Sequence, residues 1–259
     1  MNKKIKVLDR GYISLTGTML SESEDKECAQ TLDQMVVEAA RVSFGDGLKG
    51  TEKDKKLLHY LQEHEHGTPF ESAVFKFEVK CPIYVQRQWR THRWGSFNEI
   101  SGRYTEELAT EYYLPKELRG QDNQNKQGSL PNVSLDTISV TEGESFDFFA
   151  PGFRGMILTA IEFYEQVLIH QQNQYNRLLK AGVSRELARG VLGTAFYTKF
   201  VWVVNARSIM NFLILRTEGH AQWEIREYAK ALLEILKEKM PWTFESLTKS
   251  FPSIFGEQQ

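Results

Sequence analysis

Apolar positions recur along this chain with two different periods, and the switches between them divide it into elements. Ile5, Val7 and Leu8, followed by Tyr12, Ile13 and Leu15, predict a short opening strand or hairpin. From Thr31 to Val42 the spacing becomes helical, with Met35, Val36, Ala39 and Ala40 on one side. A second helix is expected from Thr51, where the run TEKD offers a cap and an acidic first turn, and it should fray near His64. Thr68-Pro69-Phe70-Glu71 predicts a sharp turn into a short helix capped by Thr68. Phe75, Phe77 and Val79 then alternate with Lys76, Glu78 and Lys80, the period-2 pattern of a half-buried strand.

Pro82 should open a helix of about ten residues, and Gly95, Asn98, Ser101 and Gly102 then turn the chain into a loop or irregular strand. Residues 116 to 153 are rich in Gln, Asn, Ser and Gly and predict a polar surface excursion. Beyond it, a long amphipathic helix is expected over Ile157–Lys180 and a shorter one from Ser184 to Leu192. The aromatic and β-branched run from Phe196 to Val204 predicts a buried strand. Asn205 should cap a helix to Arg216, and a last long helix should run from about Gln222 to Lys239. The pattern predicts an α+β fold in one domain over 1–259, since no repeat or linker interrupts it.

Composition narrows the class without naming a function. Apolar residues make up 41% and charged residues 25% of the chain, the usage of an ordinary globular protein. No apolar run approaches the ~20 residues that span a bilayer, and the N-terminus lacks the pattern of a signal peptide, so a cytoplasmic protein with no membrane partner is expected. A net charge of -2 and a pI near 6.3 argue against general nucleic-acid binding. The two cysteines, Cys28 and Cys81, form no metal-finger or disulfide pattern.

Several local patterns favour plain readings. Gly45 to Gly50 fits G-x-G-x-x-G, but it follows a predicted helix where a dinucleotide fingerprint needs a strand, so a helix stop is the better reading. His59, His64 and His66 lack a carboxylate at ligand spacing and read as surface histidines, so no metal is expected. Asn132-Val133-Ser134 matches a glycosylation acceptor that has no meaning in a cytoplasmic protein.

One stretch departs from the average. RQWRTHRWGSFNEISGRY, residues 87 to 104, sets four arginines against the single carboxylate of Glu99. Guanidinium groups stay charged and grip phosphate with two parallel bonds, so this excess points to a phosphorylated ligand. A surface salt-bridge network is the alternative, weakened by the shortage of acid. On the predicted helix Arg87, Arg90 and Thr91 would share a face, while Ser101-Gly102-Arg103 combines a hydroxyl, an accessible backbone and a guanidinium. Downstream, Arg185, Glu186 and Arg189 fall on one helix, and Asn205, Arg207 and Asn211 gather on the first turns of another, where helix N-termini favour anions.

Together HGTPFE at 66–71, the 87–104 stretch, SRELAR at 184–189, NARSIMNFLILR at 205–216, HAQWEI and PWTFE make a set that resembles the flavin-dependent thymidylate synthases. The resemblance covers most of the chain except 116 to 153. It implies an α+β homotetramer with a central mixed or antiparallel sheet flanked by long helices. It further implies FAD as cofactor, dUMP as substrate, 5,10-methylenetetrahydrofolate as carbon donor and NADPH as reductant. Carried over by position, His66, Thr68, Thr91, His92, Arg93, Glu99, Asn205, Arg207 and Asn211 would contact FAD. Gln88, Trp89, Arg90, Thr91, Glu99, Ile100, Ser101, Gly102, Arg103 and Arg189 would hold dUMP, with Ser101 to Arg103 supplied by a neighbouring subunit. Arg216 would meet the uracil ring and favour ionisation at N3.

The cysteines agree with such chemistry, because neither lies in a matching motif. One departure stands out: the family's signature begins Arg-His-Arg, whereas this chain has Thr91-His92-Arg93, with an arginine one place earlier at Arg90. A one-residue shift turns a helical side chain by about 100°. Arg90 or Arg87 is expected to restore part of the lost charge, with Thr91 contributing at most a hydroxyl. Two other classes share these features: a flavoenzyme of the same fold acting on another pyrimidine nucleotide, and a non-catalytic nucleotide-binding protein.

Overall fold

A five-stranded antiparallel sheet carries the protein on one face of its pleat. The computed structural model describes residues 4–19, 30–126, 128–131, 135, 137–139 and 156–256. Strands β1 (Lys4–Val7), β2 (Gly11–Thr18), β3 (Val74–Pro82), β4 (Ser96–Glu99) and β9 (Tyr197–Asn205) lie in the order β1-β2-β3-β9-β4, and the two-residue strands β5 (Gly120–Gln121), β6 (Ser129–Leu130), β7 (Ile138–Ser139) and β8 (Ile157–Leu158) form two small ladders apart from it. Every pairing is antiparallel, so the sheet is not mixed. The predicted alternation in β3 sends Phe75, Phe77, Val79 and Cys81 into the core, opposite the buried Phe200, Trp202 and Val204 of β9.

Most of the helices cover that inner face. α1 (Leu32–Arg41) starts with a capping box in which Thr31 and Gln34 satisfy each other's backbone donors, and α2 (Thr51–Glu63) ends at His64 as predicted. α3 (Ile83–Trp89) follows β3 directly. The long α4 (Ala160–Lys180) is capped by Thr159 and Glu162, three residues inside the predicted start, because Ile157 and Leu158 pair with Ile138 and Ser139. α5 (Arg185–Ala188), α6 (Ala206–Thr217) and α7 (Trp223–Lys239) follow, and two helices the pattern did not predict, α8 (Pro241–Ser250) and α9 (Pro252–Phe255), close the chain.

Four local expectations need correction. α3 ends at Trp89, about three residues short, because the Thr91 hydroxyl and amide both turn back to the Gln88 carbonyl. Arg90 and Thr91 therefore stand beyond the helix and share no helical face with Arg87. Gly67, not Thr68, precedes the short 3₁₀ turn Thr68–Ser72, and no side chain caps it. Ser184 uses its backbone carbonyl rather than its hydroxyl, and α5 passes into a 3₁₀ turn at Arg189–Val191. Within the predicted excursion, Gly120–Gln121 pairs with Ser129–Leu130, so part of it is a small ladder. Asn132 to Ser134 fall outside the described residues.

The core around α3 is aromatic. The ring of Trp89 packs at 4.8 Å from Phe212, 5.3 Å from Trp202 and 5.7 Å from both Phe200 and Tyr228, mostly edge to face. Phe97 of β4 stacks on Trp202 from the sheet edge. This cluster fixes the end of α3, and with it the direction in which Gln88 and Thr91 leave the fold. Among the described residues no helix is long and apolar enough to cross a membrane.

Candidate active site

Two distant segments meet where β9 gives way to α6. Asn205 caps α6 by accepting a hydrogen bond from the Ser208 amide at 2.9 Å. The next two turns of that helix present Arg207, Ser208 and Asn211 along one side of a cleft of about 320 Å³, and His92, Arg93 and Trp94 form the other side with Glu71. Arg207 and Asn211 share a helical face as their spacing requires. Arg207 is held by Glu71 at 2.6 Å. It passes so close to Gly67 that a Cβ there would lie 2.4 Å from its Nε, which ties the His66–Thr68 segment to the same rim.

Next to the cleft, Arg216 reaches back to the end of α3. Its Nε donates to His92 Nε2 at 2.9 Å and its Nη2 to Thr91 Oγ1 at 3.1 Å. Because Nε2 of His92 accepts, the neutral ring carries its proton on Nδ1. Burial and then the Arg216 charge push the His92 pKa down from an ordinary 6.5 to about 4. Burial also lowers the pKa of Arg216 itself. The site thus holds a fixed guanidinium against a histidine that stays neutral at physiological pH.

Glu99 ends β4 in a tight nest. Its Oε1 accepts from Thr198 Oγ1 at 2.6 Å, its Oε2 accepts from Gln86 Nε2 at 2.9 Å, and Arg90 approaches to 3.5 Å. Arg90 lies over the Phe97 ring, 5.6 Å from its centre. It turns toward Glu99, while the Thr91 hydroxyl accepts from Arg216. Ile100 continues the ladder by donating to the Lys199 carbonyl, and Ser101-Gly102-Arg103 form the turn that follows. Arg103 pairs with Glu186 at 3.1 Å, which brings the turn beside α5 and the exposed Arg189.

The turn and the cleft are separate places on one protomer. Lys199 and Asn205 are six residues apart on β9, about 20 Å at ~3.3 Å per residue. Trp89 requires a correction as well: its side chain is wholly buried in the aromatic core, so the indole is not offered to a ligand. Sequence reasoning passed over Glu71, Trp94 and Ser208 as cleft residues, and Gln86 and Thr198 as holders of Glu99. Trp94 carried a signal, a tryptophan next to an arginine in a polar run, and it is 82% exposed. Cys81 is buried at the end of β3 with its thiol pushed well up, unsuited to act as a nucleophile.

The chain is similar to known proteins over most of its length. A family model described as thymidylate synthase complementing protein matches residues 27–242. A flavin-dependent thymidylate synthase of Thermosipho melanesiensis is 45% identical over 246 residues, 95% of this chain and 94% of its own. Its counterpart in Thermus thermophilus is 40% identical over 237 residues, 92% of this chain and 75% of its own. Among solved structures, the UMP/dUMP methylase PolB from Streptomyces cacaoi bound with 5-Br dUMP superposes with a TM-score of 0.72 at 28% identity, covering 95% of this chain and 97% of the other.

Proposed function

Since this chain belongs to the flavin-dependent thymidylate synthases, the thymidylate synthase complementing protein family, we propose that the cleft at the start of α6 holds FAD and that Arg216 faces the uracil of dUMP beside it. The protein is a methyltransferase that makes dTMP from dUMP, with 5,10-methylenetetrahydrofolate as carbon donor and NADPH as reductant. The reading of the site rests on one observation: His92 and Arg93 come together with Asn205, Arg207 and Asn211 across more than a hundred residues of chain.

The residues suit the cofactor. Arg93 and Arg207 carry the charge for a diphosphate, and Asn205, Ser208 and Asn211 add polar groups at the N-terminus of a twelve-residue helix. Trp94 offers an exposed aromatic face. Bound and reduced, FAD supplies the hydride for the reductive step. The chain's own residues bind, orient and polarise. Arg216, fixed by Thr91 and His92, stabilises negative charge that develops on the uracil when N3 loses its proton, and this raises electron density at C5 for attack on the methylene carbon. Neutral His92 accepts from Arg216 without competing for its charge.

A cleft of this size stands at the low end of the ~300–1,000 Å³ that enclose small ligands, and a dinucleotide exceeds it. The remaining walls belong to a second copy of the chain. The same holds for Ser101 to Arg103, about 20 Å along β9 from Asn205, which would serve the phosphate in a neighbouring protomer of a homotetramer. Titrating FAD into the protein and into Arg207→Ala and Asn211→Ala tests the cleft: affinity should fall at least about tenfold in each, given ~1.5–3 kcal/mol for a hydrogen bond to a charged group. Unchanged affinity in both would place FAD elsewhere. The solved relative named for both UMP and dUMP favours a second nucleotide, so UMP belongs in the same assay, and methylation of UMP in preference to dUMP would support that alternative.

A further inference from the structure

We propose that Arg119, Glu224 and Gln222 form a hydrogen-bonded chain that fixes the side-chain amide of Gln88 in one orientation, with its carbonyl oxygen presented to a hydrogen-bond donor of the bound nucleotide. This role presupposes that Gln88 contacts dUMP, as proposed above, and gives Arg119, Glu224 and Gln222 the part of positioning residues.

The polarity of the chain follows from Glu224. This carboxylate sits on the first turn of α7 and is 3% exposed. Arg119 donates its Nη2 to Oε1, and Gln222 donates its Nε2 to Oε2 at 2.8 Å. An ionised carboxylate only accepts. Gln222 must therefore turn its amide nitrogen toward Glu224 and its Oε1 outward, and that oxygen accepts from Gln88 Nε2. One N–H of Gln88 is thus committed. Its Oε1 and second N–H remain for a ligand. A free glutamine amide adopts either orientation, so a site that needs an acceptor at Gln88 gains by having the choice made in advance.

Both ends of the chain are anchored. Arg119 lies over the Trp223 ring at 5.0 Å and donates its Nε to Ser129 Oγ at 3.1 Å, which places it on the small ladder within the polar excursion. At the other end, the main-chain carbonyl of Gln88 receives the Thr91 hydroxyl at 2.7 Å, and Thr91 in turn holds Arg216. Gln88 therefore stands beside the residue assigned to the uracil. The excursion that the sequence left without a role reaches the nucleotide pocket through four side chains.

The donor that Gln88 would read is the 3′-hydroxyl of the sugar, because the single ring N–H of the uracil, at N3, is the proton that Arg216 helps to remove. The test measures dUMP and FAD affinity for the full chain and for Gln222→Ala, Glu224→Gln, Gln88→Ala and the Gln88→Ala/Gln222→Ala double variant. Gln222 is exposed, so its substitution spares the fold. Gln222→Ala should weaken dUMP about three- to tenfold, the range expected for one neutral hydrogen bond, and leave FAD affinity unchanged. Glu224→Gln should do the same, because an amide in that place offers a donor where Glu224 offered an acceptor, so either a link breaks or Gln222 turns over and reverses the orientation of Gln88. The decisive readout is the cycle: if Gln222 acts through Gln88, the double variant binds dUMP no worse than Gln88→Ala alone. Repeating the cycle with 2′,3′-dideoxyuridine monophosphate tests the donor: coupling should be lost with this analogue, and coupling retained would overturn the assignment to the 3′-hydroxyl. Unchanged dUMP affinity in Gln222→Ala, or additive losses in the double variant, would overturn the proposal. Failure of the unsubstituted protein to bind dUMP would instead overturn the functional reading beneath it.

Discussion

His92 gives the site a measurable signature in stability. The unfolded imidazole protonates near pH 6.5, but in the folded protein burial and the Arg216 guanidinium hold it neutral down to about pH 4. Between those values the unfolded state binds more protons, so the contribution is fully present above pH 6.5 and is lost as the pH falls toward 4. From pH 7 to pH 5 the full shift corresponds to about 2 kcal/mol at ~1.4 kcal/mol per tenfold change in equilibrium. His92 remains partly open to water, and screening reduces this to roughly 1 kcal/mol. Replacing His92 by Gln keeps a polar side chain but removes the titration. Denaturant unfolding at fixed protein concentration, at pH 7 and at pH 5, should show the unsubstituted protein losing about 1 kcal/mol more than His92→Gln over this interval, because the carboxylates that titrate in the same range cancel in the comparison. Equal losses in the two proteins would mean that His92 titrates normally and that Arg216 does not sit against it.

Asp54 is almost fully buried, where it pairs with Arg41 at 2.6 Å and accepts the Lys49 amide; Asp54→Ala should cost about 3–5 kcal/mol in denaturant unfolding because it strands a buried guanidinium. Trp89→Ala should cost a similar ~3–5 kcal/mol through the cavity left among Phe200, Trp202, Phe212 and Tyr228, with dUMP affinity falling as the end of α3 loosens. Gly67→Ala should weaken FAD binding by roughly tenfold or more, read by fluorescence titration, because the new methyl displaces Arg207 at a charged hydrogen bond worth ~1.5–3 kcal/mol. A Cys28→Ala/Cys81→Ala variant should retain dTMP synthesis, measured as turnover of the folded fraction, since the Cys81 thiol is buried and its pKa raised.

The elements were legible where local chemistry decides them. The capping boxes Thr31–Gln34 and Thr159–Glu162 are present in the sequence but went unread, and the long helix was expected from Ile157, three residues early. The alternation of Phe75, Phe77 and Val79 set the inner face of β3 without reference to anything distant. The failures came where a tertiary or competing contact wins. The helix after Pro82 looked three residues longer because nothing in its periodicity reveals that the Thr91 hydroxyl will take the Gln88 carbonyl. Trp89 lay in the middle of an arginine-rich motif and was assigned to the ligand, whereas its neighbours in space, Phe212 and Tyr228, are more than a hundred residues away. α8 and α9 were passed over although Pro241 and Pro252 stand at their first positions, a signal present in the sequence.

The site divides in the same way. Residues 92–93 and 205–211 each read as anion-binding from composition and helix position alone, and their meeting across one cleft is the tertiary fact that no spacing could supply. The chain from Arg119 through Glu224 and Gln222 to Gln88 was invisible for a related reason. Arg119 and Glu224 lie 105 residues apart, and an acidic residue in a first helical turn reads as an ordinary dipole partner until its burial is known.

Tritium release tests the central claim most directly. The protein, loaded with FAD and given dUMP labelled at C5, NADPH and 5,10-methylenetetrahydrofolate, should release tritium to water in step with dTMP formation, and Arg216→Ala should reduce both by about a hundredfold or more while FAD still binds, as expected for loss of ~2.7–4 kcal/mol of charge stabilisation in the transition state. Tritium release by Arg216→Ala at an undiminished rate would contradict the role assigned to that guanidinium, and a protein that binds and reduces flavin yet releases no tritium would contradict the synthase assignment itself.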